Sequence, residues 1–180
     1  MKALKEIGIN KAFKYMVYEI LLLIFKLMFF SPLRVWYLRM LGAKIGKDVI
    51  IHEVSFFNCY KKGFRGLKIG DNCFIGNQCL FDLADEIELR NNVTLAERVV
   101  IITHLNVGYK EHLLQKFFPA SSKKVVIKDN VFIGTGSTIL SGIIIESESF
   151  IGAMSLVNKD VVAKCLVGGI PAKPIKQLNN

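Results

Sequence analysis

Residues 127–163 read IKDNVF-IGTGST-ILSGII-IESESF-IGAMSL-VNKDVV-A, so the seven positions Ile127, Ile133, Ile139, Ile145, Ile151, Val157 and Ala163 recur every six residues. An amphipathic helix repeats its apolar face near 3.6 residues and a coiled coil near 3.5, and neither sustains a six. A solenoid does, because each short strand with its corner is one repeat, and stacked copies bury a continuous column.

The same six-residue period returns on the N-terminal side of an interruption, two residues out of phase. Leu89, Leu95 and Ile101 keep it, and before a slip of two residues so do Ile45, Ile51, Phe57, Ile69, Ile75 and Phe81, with Gly63 filling the missing slot. A second register runs beside the first. Four residues after each anchor stand Val49, Ser55, Cys73, Cys79, Val93, Val99, Val131, Ser137, Ile143, Ser149, Ser155, Val161 and Val167, all small or β-branched. Each repeat thus offers one large and one compact inward side chain. The residue after the anchor is often glycine (Gly46, Gly70, Gly76, Gly134, Gly152), which would permit a tight corner. Three such repeats per turn give a triangular solenoid of parallel strands. Cys73 and Cys79 occupy the compact slot and read as core. Ser137, Ser149 and Ser155 share it and are poor candidates for nucleophiles.

Residues 1–44 follow another rule. They carry eight cations against Glu6 and Glu19, out of a net charge of +9 for the 180-residue chain. From Phe13 to Phe30 the segment is strongly apolar but is interrupted by Lys14, Glu19 and Lys26, so it does not read as a spanning helix. Pro32 divides it from a second helical stretch, Leu33 to Leu41. Two readings stay open: a helix pair lying on an anionic leaflet with snorkelling cations, or a cap on the end of the solenoid or on another subunit. No small-residue cleavage site follows. The four cysteines form no C-x-x-C pair, which argues against a zinc ribbon or redox motif and for a reducing compartment. The expected location is the cytoplasm or the inner face of its membrane.

Residues 126–140 (VIKDNVFIGTGSTIL), 151–161 (IGAMSLVNKDV) and 168–176 (GGIPAKPIK) resemble the hexapeptide-repeat acyltransferases, most closely the maltose, galactoside and polysaccharide O-acetyltransferase branch. The resemblance covers residues 45–176. It implies an all-β solenoid, a left-handed parallel β-helix, with the helical segment 1–44 before it, one protruding loop and a short tail at 177–180. It also implies a homotrimer with active sites between subunits and acetyl-CoA as acyl donor, with no metal. Two departures are visible: Phe132 stands where the family usually has tryptophan, and Met154 where it has the glycine of G-A-G-S.

The repeat breaks between Thr103 and Val125, leaving a loop at 106–124 that is too long for a corner. His104 stands at its base, where the family places a catalytic histidine. An imidazole, with a reference pKa of about 6.5, can take the proton of an attacking hydroxyl and return it to a leaving thiolate. By the same resemblance Asn77 and Asp82 would hold the acceptor, Thr135, Ala153, Asn158 and Lys159 would line the pantetheine and nucleotide, and Lys173 and Lys176 would meet the phosphates. Amides at the Gly134 and Gly152 corners are further candidates for pantetheine. His52 and His112 are alternative histidines, and neither Glu97 nor Asp85 is selected by spacing to orient His104. The implied activity is acetyl transfer to a hydroxyl of a sugar or glycan, such as a surface-polysaccharide or lipid-linked precursor. N-acylation of a nucleotide-linked amino sugar and O-acetylation of serine are the enzymatic alternatives, and a non-catalytic β-helix scaffold is the alternative of another class. A zinc anhydrase would need three histidine ligands from the only three present, and nucleic-acid binding lacks a basic-aromatic motif.

Overall fold

A computed structural model describes residues 8–179. After two helices, α1 (Ile9–Lys26) and α2 (Ser31–Met40), the chain winds as a left-handed parallel β-helix with three faces. Face A stacks β1 (Lys44–Ile45), β4 (Leu67–Ile69), β7 (Ile87–Leu89), β12 (Val125–Ile127) and β15 (Ile144–Ile145). Face B stacks β2 (Ile50–Ile51), β5 (Phe74–Ile75), β8 (Thr94–Leu95), β13 (Phe132–Ile133), β16 (Phe150–Ile151) and β18 (Cys165–Gly168), and ends with β19 (Lys173–Gln177) folded back antiparallel. Face C stacks β3 (Val54–Phe57), β6 (Cys79–Asp82), β9 (Val100–Ile101), β14 (Thr138–Ile139) and β17 (Leu156–Val157).

The six-residue anchors form the ladders that hold these faces in register. On face A, Ile69 sits on Leu89, Leu89 on Ile127 and Ile127 on Ile145. All are buried, as are the compact partners Cys73, Cys79, Val93, Val99, Val131, Ser137, Ser149 and Ser155. The buried serines are satisfied by carbonyls: Ser137 Oγ donates to Gly152 O and Ser149 Oγ to Val162 O. Burial pushes the Cys79 thiol up to about 11, as suits a core residue.

The register departs from the sequence reading at both ends. In the first coil Phe56 rather than Phe57 points inward, and Val54 rather than Ser55. In the last, Val161 bridges to Ile145 and Ala163 is exposed, because the chain takes a shorter step to close the solenoid. Gly63 is not a corner of a weak coil. It lies in an excursion made of the short helix α3 (Cys59–Lys62) and a 3-10 turn at Phe64–Gly66, with φ +65 and the Tyr18 ring packed against its α-carbon.

The corners are also built differently from expectation. Among the glycines that follow an anchor, Gly134 and Gly70 have ordinary negative φ. The left-handed residue comes two positions later, at Asp48, Asn72, Gln78, Asn92, Arg98, Asn130, Glu148 and Met154 among others. What excludes a side chain at Gly134 is the neighbouring coil: a β-carbon there would lie 2.5 Å from Ala153 N and 2.8 Å from Ile151 O. Stacked strands approach within about 4.8 Å, which leaves no space for it.

At the N-terminal end α2 covers the first coil. Leu38 is fully buried, Ser31 Oγ accepts from Ile51 N, and Arg34 donates to the carbonyls of Met28 and Ile51. Helix α1 contributes one fully enclosed side chain, Phe25, packed between Tyr37 and Phe56. Gly134→Ala is expected to destabilise the fold by about 1–3 kcal/mol through coil overpacking, measurable as a lower urea midpoint at unchanged slope.

Candidate active site

All three breaks in the repeat fall at one corner, where face C turns into face A. The chain leaves the solenoid there after Phe57, after Asp82 and after Thr103, in three successive coils. The excursions carry Asn58, Asp82 and His104, so residues 22 to 46 positions apart in sequence come into contact. Parallel stacking does this: Phe57 pairs with Asp82, and Phe81 with Ile101.

Asp82 is 0% exposed. Its Oδ1 accepts from Asn58 Nδ2 at 2.8 Å and from the Ala84 amide at 3.1 Å. Its Oδ2 accepts from the Thr103 amide at 2.8 Å and meets His104 Nδ1 at 2.5 Å. Burial pushes the carboxyl up, but hydrogen bonds from Asn58, His104, Thr103 and Ala84 together outweigh it and hold Asp82 below its usual value. Asp82 is therefore an ionised acceptor, and Nδ1 of His104 must be the donor. That fixes the tautomer and leaves the Nε2 lone pair free.

Thr103 completes the corner. Its hydroxyl donates to Asp82 O at 2.8 Å and accepts from the Asp85 amide at 2.9 Å. His104 itself opens a short antiparallel pair, β10 (His104–Leu105) with β11 (Ser121–Ser122), which carries the loop away from the solenoid. The His104 side chain is 24% exposed and Phe57 lies edge-on to it at 6.2 Å between ring centroids. It opens on a cleft of about 1130 Å³ between α1, α3 and the loop.

The other sequence candidates are distributed as follows. Asp82 sits behind the imidazole with both oxygens committed to protein donors. Asn77 is exposed at the other end of strand β6, away from the His104 cleft of its own chain. Asp85 pairs with Lys62 at 3.5 Å and Glu97 is exposed at another corner; neither touches His104. His52 packs edge-on against Phe74, and His112 accepts from the Leu114 amide within the loop. Asn58 was missed: it follows the displaced end of the first coil, has φ 57, and precedes the excursion. Its one sequence signal is the glycine that stands in the anchor slot at position 63. Cys59, next to it, is pushed up to about 12 by burial and is no nucleophile.

The six donor-site candidates lie in the later coils and none lines the His104 cleft. The expected amides of Gly134 and Gly152 are spent within the solenoid, on Ile151 O and Val167 O, both at 2.8 Å. One residue on, the amides of Thr135 and Ala153 donate to nothing among the described residues, which fits a ligand that takes backbone hydrogen bonds. Asn158, Lys159, Lys173 and Lys176 are exposed. Among the described residues, no group of three or more His, Cys, Asp or Glu is placed to hold a metal ion.

Comparison with known proteins agrees with this architecture. Residues 124–159 match the bacterial transferase hexapeptide (six repeats) and residues 66–101 the hexapeptide repeat of succinyl-transferase. Both matched stretches are thus similar to hexapeptide repeats of known transferases. The chain is 33% identical over 121 residues to an acetyltransferase of Schizosaccharomyces pombe, covering 66% of this chain and 56% of that one. It therefore spans little more than half of that relative. A maltose O-acetyltransferase from Clostridium difficile 630 superposes with a TM-score of 0.79 at 27% identity, covering 96% of this chain and 90% of the other. Galactoside acetyltransferase in complex with coenzyme A gives 0.80 at 22% identity, over 97% and 85%, a likeness of fold.

The depressed Asp82 value has a consequence for acid stability. The stabilisation from its ionised form is complete above the unfolded carboxylate pKa of about 3.9 and is lost as pH falls through the lower folded value. Asp82→Asn is expected to flatten the fall of the thermal midpoint below about pH 4, while lowering the midpoint at pH 7; calorimetric scans from acid to neutral pH check both.

Proposed function

We propose that the protein transfers an acetyl group from acetyl-CoA to a hydroxyl of a sugar or glycan, with His104 as general base. The observation that carries this reading is the Asp82–His104 pair, whose geometry leaves Nε2 as an acceptor facing a cleft. Acetyl-CoA supplies an acyl carbon already activated as a thioester. Nε2 takes the hydroxyl proton as the oxygen attacks and returns it to the departing sulfur, so no covalent enzyme intermediate is required. The imidazolium that exists between these events is stabilised by Asp82, which stays ionised throughout. Asn58 and Thr103 hold the carboxylate in place.

The donor would lie along the later coils, with the amides of Thr135 and Ala153 towards pantetheine, Asn158 and Lys159 beside it, and Lys173 and Lys176 towards the phosphates. These residues lie outside the His104 cleft of their own chain, which supports a homotrimer in which one subunit's His104 works against another's C-terminal coils. Asn77, at the far end of β6, would then approach the acceptor from a neighbouring subunit.

Helix α1 supports a surface association. Phe13, Met16, Ile20, Leu23 and Leu27 follow one another at alternating steps of three and four residues, and all are exposed. Lys11, Lys14 and Lys26 accompany them. No described helix is long and apolar enough to cross a membrane. An anionic leaflet would take the apolar stripe at its interface and Lys26 at its headgroups, placing the cleft near lipid-linked or surface-polysaccharide precursors.

His104→Ala is expected to lower kcat by about 10²–10⁴-fold with the fold and acetyl-CoA binding retained; turnover near the wild-type value would remove the base assignment. Ile20→Glu/Leu23→Glu is expected to abolish sedimentation with anionic vesicles while the circular dichroism spectrum stays the same. Equal sedimentation of variant and wild type would contradict the interfacial role of α1.

A further inference from the structure

The cleft in front of His104 is basic on every wall. Lys11 and Lys14 reach it from α1, Lys61 from α3 and Lys110 from the loop, and among the described residues no Asp or Glu lines it. None of these four lysines has an ion-pair partner among the described residues, whereas Lys62, Lys68, Lys128 and Lys164 are all paired. Asp82 is engaged with His104, Asp85 with Lys62, and Glu19 with the Tyr15 hydroxyl, whose titration it raises, and Glu111 beside Lys110 is not free either. Four cations around one concavity repel each other and focus a positive potential into it. A neutral acceptor would leave that repulsion in place.

Two tyrosines stand among the lysines. Tyr15 of α1 and Tyr60 of α3 both line the cleft, with ring centroids 6.3 Å apart and planes at 62°. Aromatic faces beside a few polar groups suit a sugar ring, whose carbon-bound hydrogens are its apolar surface. The volume, about 1130 Å³, exceeds what a single monosaccharide needs and leaves space for a charged substituent.

We infer that the acceptor is a sugar carrying a phosphate or diphosphate, seated with its ring against the Tyr15–Tyr60 pair and its anionic group among Lys11, Lys14, Lys61 and Lys110. This rests on the acetyltransferase reading and narrows it: the hydroxyl that loses its proton to His104 belongs to an anionic saccharide. The donor also carries phosphates, but the lysines assigned to it, Lys173 and Lys176, lie on β19, outside this cleft. The same diphosphate chemistry could be presented by a nucleotide in solution or by a polyprenyl lipid in a bilayer.

The experiment has a binding arm and a transfer arm. Inorganic pyrophosphate is titrated calorimetrically into full-length protein saturated with CoA, using the wild type and Lys14→Glu/Lys61→Glu. Both positions are exposed, so the fold is expected to survive, and an unchanged CoA affinity verifies it. Loss of pyrophosphate binding by at least about tenfold in the variant, weakening further with salt, is the expected result. Equal binding by both proteins, or binding that disappears from the wild type once CoA is saturating, overturns the inference. In the transfer arm, acetyl transfer is compared for a methyl glycoside, the matching uridine-diphospho-sugar, and vesicles carrying the polyprenyl-diphospho-sugar. Preference for either charged form supports the inference and identifies its source. Equal use of the methyl glycoside, with KM unmoved in the variant, overturns it and leaves the acetyltransferase reading intact. No transfer by the wild type to any of the three would instead count against that reading, while the binding arm still decides whether the cleft is an anion site.

Discussion

Removing a carboxylate from water costs several kcal/mol even after the protein relaxes around it, and Asp82 is removed completely. The corner between faces C and A is organised to offset that cost. Four donors converge on two oxygens, and they come from three coils: Asn58 from the first, Ala84 from the second, Thr103 and His104 from the third. The stack of parallel strands makes this convergence possible, because each coil repeats the position of the one before. A charge that would destabilise the core becomes the element that fixes the imidazole. Loss of any one donor leaves part of that charge uncompensated, so Asn58, which lines the cleft beside His104, and Thr103, which does not, both matter to the site.

The solenoid was legible in the sequence because its cause is local and repeated. One large and one compact inward residue per six positions produces a ladder whichever coil is examined, and Ile127, Ile133 and Ile139 stand where that rule places them. It failed where the cause was not the repeat. Phe56 displaced Phe57 because the first coil ends in an excursion, and Val161 displaced Ala163 because the last coil is shortened. The glycines were recognised but their reason was not: Gly134 is dictated by Ala153 on the next coil, a contact that no local pattern contains.

The site divides in the same way. His104 stands out in the sequence because the repeat stops beside it and the resemblance puts a histidine there. For Asp82 the resemblance supplies a position on a coil but not the direction of the side chain, which here turns to His104. Asn58 had no motif, and its role emerges when three interruptions, scattered over 46 residues, fall at a single corner. The basic cleft was invisible for a related reason: Lys11, Lys14, Lys61 and Lys110 are far apart in the chain, and helix α1 brings the first two across to the others. That helix also exposes an apolar stripe, so the N-terminal segment links the cleft to whatever surface the stripe meets.

The central claim is that buried, ionised Asp82 makes His104 a base by holding its Nδ1 proton. Heteronuclear NMR of protein labelled at its histidine ring nitrogens tests this without an acceptor or a donor. At neutral pH the His104 signal is expected to show the tautomer protonated at Nδ1, and Asp82→Asn should abolish that preference. A wild-type His104 protonated at Nε2 would contradict the account, because the nitrogen facing the cleft would then have no lone pair with which to accept a proton.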